Sequence, residues 1–255
     1  MDGPVSYAGA AWTLAENVHL TIAGIGGRRT ITRTAAASMF SVNGANRSLT
    51  LGDNITLAGN TGNNNALVNV AGGASFTMNA GAQITGNRAS AGLQAGGVNV
   101  VGAGSTFTMN GGEIFGNTAA GENSGGGVRL AQNALFVMHP GAVIRGNTAT
   151  GINSAGGVIS TSTFRMLGGE IRGNTATGGT STVGGVRTSG ALQVVTGVIY
   201  GEGANANTGV TNYVLLLITG GTATLGTMVG GVFTPGGSPL TSTDNTIRVV
   251  DGVLQ

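Results

Sequence analysis

Between Gly72 and Thr188 the apolar positions fall into short alternating beats that recur in a fixed order. The first beat is Phe-x-Met, at Phe76/Met78, Phe107/Met109, Phe136/Met138 and Phe164/Met166. The second is Ile-x-Gly-Asn, at Ile84/Asn87, Ile114/Asn117, Ile144/Asn147 and Ile171/Asn174. The third is Gly-Gly-Val, ending at Val98, Val128, Val158 and Val186. The asparagines are 30, 30 and 27 positions apart and the valines 30, 30 and 28, which is the signature of a repeat architecture. Each beat alternates apolar and polar residues over three to five positions and so predicts a short strand with one buried face. Gly, Asn, Ser and Thr fill the intervals, which predicts turns.

No interval holds a crossover helix. Three strands and three turns in about 30 residues predict an all-β, single-stranded parallel β-helix, a solenoid whose coils touch mainly their neighbours. The 255 residues then make roughly eight coils. Coils stacked about 4.8 Å apart give a rod near 40 Å long. Equivalent residues lie above one another, so Phe, Met, Ile and Val become four internal columns. The register starts earlier, with Leu49, Leu51, Leu57 and Asn60 in the places of Phe76, Met78, Ile84 and Asn87. Asn60, Asn87, Asn117, Asn147 and Asn174 each end a strand where the chain turns. Stacked amides there predict a structural hydrogen-bonded ladder.

The Gly-Gly-Val and Ile-x-Gly-Asn motifs resemble the Gly-Gly-Ala-Ile and Phe-x-x-Asn repeats of chlamydial polymorphic outer-membrane proteins. They resemble more closely the Gly-rich β-helix repeat proteins of spirochaete and gut-bacterial surfaces. The likeness covers about Leu49 to Thr188. It implies a right-handed helix, export, an extracellular or cell-surface location and an adhesin-like role. Ile stands in place of Phe in the second motif. The C-terminal membrane barrel of the chlamydial proteins has no counterpart here.

The flanks are less regular, and the whole is expected to be one domain. Residues 1–24 are expected to form an N-terminal cap, a short helix or irregular segment around Trp12, leading to a strand at Val18–Ile22. Further strands are expected at 30–34 and 38–42. After Thr188 the coils degenerate through 189–255, and Tyr200-Gly201-Glu202 replaces Gly-Asn. Pro235 and Pro239 are expected to bracket a projecting loop, TPGGSPL.

Composition removes several classes of function. There are 50 Gly, no Cys and no Lys, with charged residues at 8% and apolar residues at 40%. That is too apolar for a disordered chain, and glycine without a three-residue period is not collagen. Thiol chemistry is absent. The net charge of +2 comes from 11 scattered Arg against 9 acids, so no nucleic-acid patch is expected. MDGPVSYAGAAWTL lacks the pattern of a signal peptide. The longest apolar run, Tyr213 to Ile218, is too short to span a membrane.

Candidate chemistry is sparse. Glu113 and Glu170 hold one repeat position two coils apart, roughly 9–10 Å at this coil rise. Inverting glycosidases place carboxyl groups about 6.5–9.5 Å apart, so a polysaccharide-active enzyme is one reading. Val143 lies between the two acids, and Arg145 and Arg172 stand two residues along, which favours cross-strand ion pairs. His19 and His139 are isolated and no calcium loop is present, so neither a metal site nor a cofactor is expected. The outward positions flanking Phe read Ser75/Thr77, Thr106/Thr108, Leu135/Val137 and Thr163/Arg165, a threonine array broken in two coils. Glu113, Phe115, Arg145, Glu170 and Arg172 form a lateral patch suited to glycan or protein, with Phe115 exposed. Three readings result: a non-catalytic surface binder, a spacer or fibre unit stacking end to end, and the enzyme. The binder is favoured.

Overall fold

The computed structural model describes residues 5–211, 213–243 and 245–255. The first four residues of the expected 1–24 cap lie outside these. The chain is a β-solenoid of about eight turns with about 29 residues per turn. Three long sheets run along it. The isoleucine sheet begins with Val5–Tyr7 and Arg29–Arg33 and runs through Gly112–Phe115, Ala142–Arg145 and Glu170–Arg172 to Gly197–Ile199. The valine sheet runs from Trp12–Thr13 through Val128–Ala131 and Val186–Thr188 to Leu215–Leu217. The phenylalanine sheet runs from His19–Ile22 through Leu135–Met138 to Thr222–Val229.

Parallel register puts like on like. Phe107 pairs with Phe76 and Phe136, and Met109 with Met78 and Met138. Ile114 pairs with Ile84 and Ile144, and Val128 with Val98 and Val158. All are buried. The four phenylalanine rings stack at 5.0, 4.8 and 4.7 Å between centroids, within 9° of parallel. Such stacking adds about 0.5–1.5 kcal/mol per pair beyond area burial.

The motif glycines serve two physical ends. In Ile-x-Gly-Asn the glycine turns the corner with positive φ, from +58° at Gly146 to +69° at Gly86. In Gly-Gly-Val the restriction is close approach. A Cβ on Gly126 would lie 2.3 Å from the Gly156 carbonyl oxygen of the next turn, and one on Gly127 2.9 Å from Ile144 Cγ2.

The Asn ladder is present, and its two ends differ from expectation. The main-chain N–H and Nδ2 of Asn147 both donate to Oδ1 of Asn174, each at 3.0 Å. Asn117 donates likewise to Asn147 at 3.0 and 3.1 Å. The Nδ2 of Asn117, Asn147 and Asn174 also reaches the Ile carbonyl one turn back, Asn147 to Ile114 at 2.9 Å and Asn174 to Ile144 at 3.0 Å, whereas Asn87 Nδ2 donates to the Asn65 and Gly96 carbonyls. Asn60 is half-buried and keeps only the main-chain half of the rung, its N–H donating to Asn87 Oδ1 at 3.3 Å. Its Nδ2 donates to the Thr34 carbonyl and its Oδ1 accepts from Gly62 N–H. Buried Asn63 supplies the missing amide, donating to Asn87 Oδ1 at 3.0 Å. At the other end the ladder passes beyond Asn174 to Asn207, which the sequence reading missed.

A fourth sheet was also not expected. Arg88–Ala89, Thr118–Ala119, Thr148–Ala149 and Thr175–Ala176 pair in parallel just after the Asn corner. Two residues are too few to show alternation. In place of a helix or irregular cap, residues 5–22 form a first turn with three strands in register with the second. Trp12 packs there against Tyr7 and Phe40, at 4.2 and 5.0 Å between centroids.

TPGGSPL is an irregular strand segment rather than a free loop, its register shifting between Pro235 and Pro239. It falls largely within the strand Val232–Pro239, which returns antiparallel to Thr222–Val229 as the second arm of a hairpin. Ile247–Val250 lies antiparallel on Gly197–Ile199, and Val253–Leu254 pairs with it in turn. These strands bury Leu225, Leu240, Ile247 and Val249. At the opposite end Trp12, Leu20, Ile22 and Ile31 are only partly buried. With Thr13, Leu14 and Phe40 they line an apolar opening of about 350 Å³.

Candidate lateral binding face

The register that buries Ile84, Ile114, Ile144 and Ile171 turns their strand neighbours outward. One outer row on the isoleucine sheet reads Thr56, Gln83, Glu113, Val143, Glu170 and Val198. The next reads Thr85, Phe115, Arg145 and Arg172. The structure therefore assembles the expected patch. Glu113 and Glu170 hold equivalent positions two turns apart, with Val143 between them.

Within the patch, Arg145 binds Glu113 across the strands. Its Nη2 donates to Oε2 at 2.9 Å and its Nε to Oε1 at 3.4 Å. The same guanidinium covers Phe115, with Cζ 4.4 Å from the ring centroid. Phe115 is thus half-buried beneath Arg145 rather than openly exposed. The second ion pair also differs from the cross-strand expectation. Arg172 Nε donates to Glu170 Oε2 at 3.1 Å within one strand, two residues apart. Tyr200 Oη lies 3.5 Å from the other Glu170 oxygen.

A polar row that the sequence reading overlooked extends the patch toward the first turns. Arg28 Nη1 donates to Thr56 Oγ1 at 3.1 Å and to the Gly81 carbonyl at 3.0 Å. Thr56 donates to Gln83 Oε1 at 3.1 Å, and Gln83 Nε2 reaches Glu113 Oε2 at 3.4 Å. Arg28, Thr56, Gln83, Glu113 and Arg145 thus form one chain of contacts across successive turns. The signal was available: Thr56 and Gln83 occupy the repeat position of Glu113. Beside the row is a shallow groove of about 310 Å³, floored by Gly81, Gly112 and Gly141 and edged by Arg28, Gln83 and Glu113.

The ion pairs are surface features. The Arg145 and Glu113 side chains are 34% and 29% exposed, so the pair contributes at most about 1 kcal/mol. It orients the groups more than it holds the fold. The outward threonine array is broken as the sequence reads: Ser75, Thr106, Leu135 and Thr163 share one row, and Thr77, Thr108, Val137 and Arg165 the other. Among the described residues no three His, Cys, Asp or Glu side chains gather as metal ligands, and no helix is long and apolar enough to cross a membrane. The chain matches no known family, no curated protein and no solved structure.

Proposed function

We propose that this chain is a non-catalytic, adhesin-like surface or secreted β-solenoid that binds a glycan or surface protein along its isoleucine sheet. The observation that carries the reading is the continuous row from Arg28 to Arg145 with the Phe115–Arg145 platform at its end. Amides, a carboxylate and guanidinium groups offer both donors and acceptors to sugar hydroxyls. The ring and the flat guanidinium offer a stacking face for an apolar sugar surface. The surface location rests on the resemblance of the repeats to those of bacterial surface proteins.

The arrangement of the carboxylates argues against the enzyme reading. Glu113 and Glu170 are each engaged by their own arginine, and Val143 separates them on the sheet. The usual glycosidase places two carboxyl groups on either side of one scissile bond. The two ends of the rod speak to the fibre reading. An end-to-end fibre needs both open, and here antiparallel strands cover the C-terminal core while the first turn leaves Trp12, Leu20 and Ile22 partly exposed. That asymmetry favours, as a second reading, pairing of two first turns over growth into filaments.

A glycan array probed with the parent protein and with Phe115→Ala and Arg145→Gln tests the binding reading. Binding to a defined set of glycans, lost in both variants, supports it. Equal binding by all three proteins moves the site off this face. Light scattering across concentration separates monomer, dimer and filament.

A further inference from the structure

The outer face of the valine sheet carries a row that the lateral face does not use. It reads Asn69, Asn99, Arg129, Ile159, Arg187 and Leu216 in successive turns. The loops that follow the Thr-Ala strands fold back over this row as an arm. Bridges from Ala95 through Gly125 and Ala155 to Val183 hold the arm together. Ala155 and Val183 of the arm form a small apolar cluster with Ile159 of the row, with Leu216 packed alongside.

Arg187 sits between Ile159 and Leu216 in that row, so its neighbours on both sides are apolar. It is 8% exposed, and its Nε is sealed from solvent without a hydrogen-bond partner. Both ion pairs found among the described residues lie on the isoleucine sheet. Two turns away, Arg129 Nη1 donates to Asn99 Oδ1 at 3.2 Å, and Asn99 to Asn69 Oδ1 at 3.2 Å, a relay that runs away from Arg187. Burial pushes both arginines below the ordinary guanidinium range. Arginine nevertheless stays protonated in proteins. An arginine sealed at Nε beside apolar groups, with no ion pair among the described residues, is costly and favours a counter-charge.

We propose that Arg187 is the base of a slot for a single oxyanion, a carboxylate or sulfate group, between the valine sheet and its loop arm. Arg129 adds positive potential without touching the ligand. The slot is separate from the lateral face, so a failure of either reading leaves the other standing.

The test is thermal unfolding of the full chain in chloride at fixed ionic strength, titrated with inorganic sulfate, D-glucuronate or neutral D-glucose. The parent is expected to gain about 2–4 °C in Tm, saturably, with sulfate or glucuronate and not with glucose. Sulfate alone would mark a free inorganic anion as the ligand. A stronger response to glucuronate would mark an acidic sugar. Arg187→Met, an apolar replacement of similar length, is expected to melt at or above the parent without added anion. It is also expected to lose the saturable gain. Arg248→Gln, which removes one exposed charge elsewhere, is expected to keep it. No saturable response in the parent, or the same response in Arg187→Met, overturns the proposal.

Discussion

Arg145 sits over the ring of Phe115, its Cζ 4.4 Å from the centroid, while holding Glu113 with two nitrogens. Arg145 and Phe115 face each other in register on adjacent strands. A half-exposed cation over an aromatic ring is worth about 0.5–1 kcal/mol. A double-mutant cycle with Phe115→Leu and Arg145→Gln, read by urea unfolding, is expected to give a coupling of that size, little changed by salt. The Glu113–Arg145 cycle is expected to give less than about 1 kcal/mol and to fall as salt is raised. A salt-sensitive coupling to Phe115 would show that the ring contact is incidental.

The ladder predicts a graded series. Asn147→Ala strips Asn117 of its acceptor and leaves the Ile114 carbonyl without its side-chain donor. With several buried groups left unsatisfied, the expected cost is about 3–5 kcal/mol. Asn207→Ala is expected to cost nearly as much, because Asn174 donates to it twice. Asn60→Ala is expected to cost about 1 kcal/mol, since its side chain makes one bond back to the Thr34 carbonyl and one to Gly62 N–H, both on exposed groups. Equal costs at Asn60 and Asn207 would contradict the ladder drawn here.

What the sequence disclosed, and what it hid, follow one physical rule. Phe76, Phe107, Phe136 and Phe164 were legible because like side chains stack well in successive turns, though Leu49 and Leu192 fill the same column on either side. Glu113 and Arg145 followed from the same spacing. Asn207 was hidden because the five residues 202–206 are looped out ahead of it and break the count. The C-terminal hairpin was hidden because Pro235, Gly236, Gly237 and Pro239 read as turn residues, while an edge strand tolerates them. The burial of Arg187 was hidden because the arm that covers it, although it recurs every 28–30 residues, shows no apolar alternation that would mark it as a layer over the valine sheet.

The internal columns predict an asymmetric response at one position. Ile144 is fully buried in the middle of the rod. Ile144→Asp is expected to cost several kcal/mol and to disrupt the stack, since no cation faces the core there. Ile144→Val is expected to cost about 0.5–1.5 kcal/mol with no change of fold. Unfolding followed by far-ultraviolet circular dichroism checks both, and a parent-like melt for Ile144→Asp would refute the column.

Trp12, the single tryptophan, reports on the first turn alone. Among the described residues that turn pairs on one side only, and its core residues are partly open. End units of a solenoid open more readily than the middle. Tryptophan emission is therefore expected to shift at lower urea than the circular dichroism signal. Coincident transitions would mean that the first turn is coupled to the whole rod.

The step from Asn174 to Asn207 has a consequence for how such a chain can change over time. That step spans 33 residues, yet the amides meet at 2.8 Å, as close as any rung. The Tyr200 carbonyl closes the detour by accepting both the main-chain N–H and Nδ2 of Asn207, each at 2.8 Å. The corner therefore registers which atoms arrive and is indifferent to how much polypeptide was travelled to reach it. Foreign segments spliced between Gly201 and Ala206 would be carried on the outside of the rod, leaving its pitch unaltered. A scaffold of this kind can acquire new surface by insertion, one corner at a time, without renegotiating its interior.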